Sequence, residues 1–345
     1  MAISDFQYFL LFVSTFVVVG FLTPVMRKIA ISKKIYDTPN SAHKTHKEPV
    51  PYLGGVAIII GVILVSYGVA IIDGFDSKNL LLMTSVLAPA LVLGAIGFWD
   101  DLRNLRPAPR LAIQSAAGLF TAWILISQNT LGTPTESTII DVLITSIWIV
   151  GICNSINFFD NLDGGAAGTV AISSIALAFL ALNGDQYLIA ALSTVTAGAT
   201  LGFLVWNKSP AKIYMGDAGA LFLGVLLATL TIRLRPNSET QIGSYLTPVF
   251  LLAIPILDTT VAVFSRLRRH LSPFQGGQDH LSHRLVRAGL SRKRAAASLW
   301  GLSGLYGAVA IFISRPNSSI ENYLVGSAGL LWVVLFVLFF RTKDA

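Results

Sequence analysis

Residues 139–165 read IIDVLITSIWIVGICNSINFFDNLDGG, and this stretch decides what kind of protein the chain is. Residues 139–157 are apolar apart from Asp141 and a few small polar side chains. A helix of about 20 such residues crosses the ~30 Å hydrocarbon layer of a bilayer. The run then closes on Asn154, Asn157, Asp160 and Asp163, polar residues delivered to a membrane surface. Working outward, ten further runs of the same kind lie near 6–26, 53–72, 80–99, 110–127, 166–183, 187–206, 218–235, 245–265, 296–314 and 322–340. They are continuous and rich in Leu, Ala, Val and Ile, whereas barrel strands would alternate over about ten residues. The expected fold is all-α: a polytopic bundle of eleven transmembrane helices forming a single membrane domain over 1–345.

Composition agrees. Of 345 residues, 54% are hydrophobic and 12% charged, against roughly 25% charged in soluble domains. The net charge of +7 would suggest nucleic acid in a soluble protein, but its distribution argues otherwise. Loops after odd-numbered spans and the C-terminal tail hold 21 of the 25 Lys and Arg residues; the other four are Lys78, Arg233, Arg235 and Arg315. The positive-inside rule places the odd loops and tail in the cytoplasm and the N-terminus outside. The first span reads as a retained helix, because no basic n-region or small-residue cleavage site accompanies it. Cys153 is the single cysteine, which excludes an intramolecular disulfide. Trp99, Trp148, Trp206, Trp300 and Trp332 lie near span ends and read as interface anchors.

The odd loops also carry the chemistry. Asp100 and Asp101 end the third span, where the helix dipole disfavours negative charge, so a shared cation is the expected reason for the pair. Asn154, Asn157, Asp160 and Asp163 follow at three-residue steps; a helix continuing to Asp163 would put them on one face as hard oxygen ligands for Mg²⁺ or Mn²⁺. Asp217 opens the eighth span after PAKIYMGD, as a cap, a ligand or both. Asp258 lies within the ninth span, an intramembrane carboxylate and so a functional candidate. The longest loops, 27–52 and 266–295, are basic. The second contains Arg266, Arg268, Arg269, His280, His283 and Arg284, and arginines suit phosphate.

DTPNSAHKTHKEPVPYLGG (37–55), Asp100-Asp101 with LRNL, NSINFFDNLDGG, PAKIYMGDAGALFLG and SPFQGGQDHLSHRL together closely resemble the polyprenyl-phosphate N-acetylhexosamine-1-phosphate transferases, or glycosyltransferase family 4. The likeness runs from about residue 20 to 290 and is nearest the bacterial enzymes that use UDP-GlcNAc. It implies attack by a polyprenyl phosphate on a UDP-sugar, giving polyprenyl-diphospho-sugar and UMP, with Mg²⁺ or Mn²⁺, in the bacterial cytoplasmic membrane; it also allows a homodimer. By that likeness the active-site loops are 27–52, 100–110, 157–165, 207–217 and 266–295. Asp100, Asp101, Asp160, Asp163 and His280 would be catalytic, and Asp217, Asp100, Asp101 and Asp160 would hold the metal. Lys44, Lys47, Asn157, Lys212, Arg266, His283 and Arg284 would bind substrate.

The chain departs from the family pattern in places. His280-Leu281-Ser282-His283-Arg284 has Ser282 where a His is usual, Asn161 and Gly165 replace the frequent Gly and Leu, and the first loop is one residue longer. Two other readings compete. One is phospho-N-acetylmuramoyl-pentapeptide transferase, which usually shows a triple His absent here. The other is an ion-coupled transporter, whose polar residues would sit near the bilayer midplane; here only Asp258 is deep.

Overall fold

The computed structural model describes residues 4–37, 49–72, 74, 76–103, 105, 107–127, 135–273, 277–315 and 320–342. Helices dominate them. In chain order these are α1 (Asp5–Ser32), α2 (Gly54–Ile72), α3 (Ser77–Arg103), α4 (Pro107–Ser127), α5 (Thr138–Phe159), α6 (Gly165–Asn183), α7 (Tyr187–Asn207), α8 (Gly216–Arg233), α9 (Gln241–Leu251), α10 (Ala253–Arg268), α11 (Leu281–Arg287), α12 (Arg292–Ile313) and α13 (Glu321–Arg341). Among the described residues ten are each long and apolar enough to span a membrane, and α9 with α10, a bent pair, makes an eleventh if it is counted as one span. The expected membrane helix bundle is therefore what forms. Its centre is α6, α7 and α8, rich in Ala, Gly and Thr, while α1 and α13 lie at the periphery with their apolar faces turned outward.

The ninth span corrects the expectation of one straight helix over 245–265. α9 and α10 meet at a 74° bend. Pro255 has no N–H to offer the carbonyl of Leu251 four residues back, and Ser173 Oγ of α6 donates to that carbonyl instead, at 2.7 Å. Trp332 Nε1 of α13 donates to Ala253 O at the break, at 3.2 Å. Freed backbone groups at membrane depth survive because neighbouring helices satisfy them. Pro24 in α1 behaves likewise, since the Gly20 carbonyl it orphans accepts from Trp206 Nε1 at 2.9 Å.

These bonds revise the tryptophan reading too. Trp148, Trp206, Trp300 and Trp332 each donate to a backbone carbonyl of another element, making them interhelical ties. Trp99 keeps the exposure expected of an interface anchor.

Two features bring the loops to the bundle end. β1 (Tyr36–Asp37) and β2 (Val50–Pro51) pair antiparallel, with Tyr36 opposite Pro51. Tyr214 then clamps this ladder to the bundle: its N–H donates to Pro51 O at 2.9 Å, and its carbonyl accepts from Gly54 N at 3.0 Å.

Candidate active site

The C-terminal ends of α3 and α5 meet the N-terminal end of α8. Close approach is built into the sequence at Gly97, where a Cβ would stand 2.3 Å from the Asp217 carbonyl oxygen. Gly216 opens α8 in the left-handed region, φ +74°, and any Cβ there would sit 2.7 Å from Asp101 Oδ2. Both positions require glycine for the carboxylates to come together.

Arg110 lies at the centre. Its Nη1 donates to Asp100 Oδ2 and to Asp217 Oδ2, at 2.9 Å each. The other oxygen of Asp100 accepts from Leu105 N at 2.6 Å, and Asp217 Oδ1 accepts from Asn157 Nδ2 at 2.8 Å. Asp100 is buried while the Asp217 side chain is 29% exposed, so the pair opens outward through Asp217. Asp101 is engaged differently. Its two oxygens accept from the backbone N–H groups of Asp217 (2.8 Å) and Ala218 (3.1 Å), which caps α8. Both oxygens of Asp101 are thereby engaged with the start of α8. Tyr52 Oη donates to the Asp101 carbonyl; burial, and then the Asp101 charge, push its phenol up to about 12.

The expected stripe to Asp163 does not form, because α5 ends at Phe159 and the chain turns. Asp160 caps the helix, and the turn continues through Gly164, at φ +73°, into α6. Physically, Asn161 Nδ2 donates back to Phe158 O at 2.6 Å, closing the end of α5. Burial pushes the Asp160 carboxyl up to about 7, with the charges of Asp217 and Asp163 acting in the same direction. Asp163 faces the 208–215 loop, accepting from Ala211 N at 3.2 Å, and stands 3.9 Å from Arg292. Asn207 and Trp300 hold this turn: Gly164 N donates to Asn207 Oδ1 (3.0 Å), and Trp300 Nε1 donates to Gly164 O (3.1 Å).

The second cluster surrounds Arg266, which is 3% exposed. Its Nε donates to Asp279 Oδ2 at 2.9 Å, its Nη1 to Pro273 O at 2.8 Å, and its Nη2 lies 3.3 Å from His280 Nε2. Asp258 orients His280 from beneath: Oδ2 is 2.7 Å from Nδ1, and Oδ1 accepts from Leu281 N at 2.7 Å. Asp279 is shared with Arg269. His283 stands edge-on to His280 at 6.1 Å; burial, and then the His280 charge, push it down to about 4.

Arg284 is a correction. It is wholly buried, and its guanidinium donates to Asp279 O, Phe339 O, Thr342 O and Ser265 Oγ. It ties α10, α11 and the end of α13 together and is out of a substrate's reach. Lys212 is exposed, its ammonium 5.4 Å above the Trp206 ring. Lys44 and Lys47 lie outside the described residues. Sequence reading missed Arg110, Tyr52, Asn207 and Asp279. Arg110 had a signal of its own, as the last of three arginines spaced along 103–110 behind the Asp pair, while Tyr52, Asn207 and Asp279 lay inside the loops and motifs already singled out without being distinguished from their neighbours.

Residues 83–235, which carry Asp100, Arg110, Asp160 and Asp217, match the model of glycosyl transferase family 4. Relatives agree along nearly the whole chain. A probable undecaprenyl-phosphate N-acetylglucosaminyl 1-phosphate transferase of Bacillus subtilis (strain 168) is 31% identical over 333 residues, 95% of this chain and 87% of that one. The chain belongs to glycosyl transferase family 4. A decaprenyl-phosphate N-acetylglucosaminephosphotransferase of Mycolicibacterium smegmatis is likewise 31% identical, over 95% of this chain and 88% of its own. A phospho-N-acetylmuramoyl-pentapeptide-transferase of Streptococcus uberis matches 74% of this chain and 80% of its own, also at 31%.

Proposed function

We infer that this family 4 protein transfers N-acetylglucosamine 1-phosphate from UDP-GlcNAc to a polyprenyl phosphate in a bacterial cytoplasmic membrane. An oxygen of the lipid phosphate forms a bond to the β-phosphorus of the donor, the bond to UMP breaks, and polyprenyl-diphospho-GlcNAc and UMP leave. The observation that carries this reading is the convergence of Asp100 and Asp217 on a single cation, Arg110 Nη1, at the end of a membrane bundle.

Among the described residues, no three His, Cys, Asp or Glu side chains are set to hold a metal ion. Mg²⁺ commonly takes only one or two carboxylates and completes its shell with water and substrate phosphates. Asp217 and Asp100 are the residues that would hold it, with Asp160 adjoining. When bound, the ion supplies charge neutralisation on the diphosphate oxygens as UMP departs. Asn157 fixes the Asp217 carboxylate, and Asp101 orients it through the α8 backbone. Asp100, whose Oδ2 meets the shared cation Arg110, is assigned to the acceptor-phosphate side of the site. The diphosphate and sugar extend toward Arg266, His280 and His283. Catalysis is then mainly positioning and electrostatics.

The test is to incubate purified protein with labelled UDP-GlcNAc, polyprenyl phosphate and Mg²⁺. Lipid-linked label and UMP, both dependent on the lipid, are expected. Turnover of UDP-N-acetylmuramoyl-pentapeptide in place of UDP-GlcNAc would instead select the other named activity among the relatives. The charge asymmetry orients the site toward the cytoplasm. On a Cys153→Ser background, an impermeant thiol reagent applied to intact cells should label Glu239→Cys and leave Lys293→Cys untouched; the reverse would invert the topology.

A further inference from the structure

The turn that carries Asp160 is joined to the basic cluster by a bond between two side chains. Ser282, 2% exposed in the first turn of α11, donates through Oγ to Asn161 Oδ1. Asn161 uses its other end as well, since Nδ2 donates to Phe158 O at 2.6 Å. The Phe158 ring stands edge-on to His280 at 6.0 Å and lies 5.9 Å from the Arg266 guanidinium. Asp160 is thus bracketed, two residues before and one after, by contacts to the helix and helix cap that present His280 and His283.

Glycine at 161 would leave the Ser282 hydroxyl buried and without its acceptor, a desolvation cost of its own.

We propose that the Asn161–Ser282 bond is a positioning latch. It sets the gap between the carboxylates at 160 and 163 and the histidines at 280 and 283, and thereby governs which sugar nucleotide the site accepts. This rests on the reading of the donor given above: a donor holding its diphosphate at the carboxylates must reach the histidines with the rest of the molecule. A bond between two short side chains fixes that span more tightly than long flexible ones would. Neither residue is assigned to touch the reacting atoms.

The test is a double-mutant cycle read by UMP release in purified full-length protein. Asn161→Ala and Ser282→Ala are each expected to raise KM for UDP-GlcNAc by up to about tenfold, the scale of one hydrogen bond. Both should leave KM for polyprenyl phosphate unchanged and relax discrimination against UDP-GalNAc. The double variant should be no worse than the poorer single, because the two share one interaction. Ser282→Thr, which keeps the hydroxyl, should restore the donor KM. If Ser282→Ala does not yield folded protein, Asn161→Ala with Ser282→Thr reads the same bond. Donor KM values unchanged in the variants, or effects that multiply, would overturn the latch while leaving the transferase reading intact. An unmodified protein that does not consume UDP-GlcNAc would overturn both.

Discussion

The two clusters at the end of the bundle are built on opposite electrostatic plans. Around Asp217, the carboxylates of Asp100, Asp160 and Asp163 gather with Arg110 as the central cation and Arg292 at the edge. Around Arg266, by contrast, Asp258 and Asp279 are matched by Arg266, Arg269 and His280 at short range, largely out of solvent. The difference teaches which part is complete. A buried ion-pair network with its donors satisfied is already at rest; a partly open acidic cluster is held at a cost that a cation or a charged ligand relieves. On the function proposed above, the first region would carry the chemistry and the second the recognition of the donor.

Mutations should therefore act with different signatures in the two regions. Asp217→Asn keeps the shape and much of the hydrogen bonding but removes a charge, and kcat should fall by at least ~10²-fold, as for loss of a principal electrostatic contributor to a transition state. Its thermal stability without divalent cation should hold or rise, since repulsion is relieved. Chelator should abolish turnover of the unmodified protein and Mg²⁺ or Mn²⁺ should restore it. Wild-type rates from Asp217→Asn at saturating Mg²⁺ would erase the distinction between the clusters.

Asp279→Asn attacks the other plan. It leaves Arg266 buried beside a neutral amide, and removal of one partner of a buried ion pair typically costs ~3–5 kcal/mol. The expected outcome is a large fall in the melting temperature of detergent-solubilised protein, cation present or absent. A variant that melted like the unmodified protein but had lost turnover would move Asp279 into the chemical region.

The smallest effects lie in pH dependence and have opposite signs. Asp160 is raised to about 7 in the folded chain. Its contribution is present below the ordinary carboxylate range and lost as pH climbs toward 7 in cation-free buffer. His283 is lowered to about 4. Its contribution is present above about 6.5 and lost as pH falls toward 4. Each effect should amount to roughly 1–3 kcal/mol. Asp160→Asn should flatten the neutral limb of a stability–pH curve and His283→Gln the acid limb. If each substitution flattened the other limb, the electrostatic contrast would be misassigned.

Much of this molecule is legible from patterning. Eleven apolar runs and the 21 basic residues on one set of loops suffice for a polytopic helix bundle with its polar chemistry at one end, because no other arrangement satisfies that many backbone groups in lipid. Asp100, Asp217 and Asn157 were singled out because polar side chains at span ends are costly unless used, and the structure brings the three together. Composition cannot say which oxygen faces which donor. The tertiary structure decided that Asp101 caps α8, that Arg110 bridges Asp100, ten residues before it in sequence, and Asp217, 107 residues after it, and that Arg284 is a buried tie. It also decided that Pro255 breaks the ninth span at a point Ser173 can satisfy. These outcomes depend on what a different helix presents at the contact, and periodicity along a single helix carries no information about its neighbour.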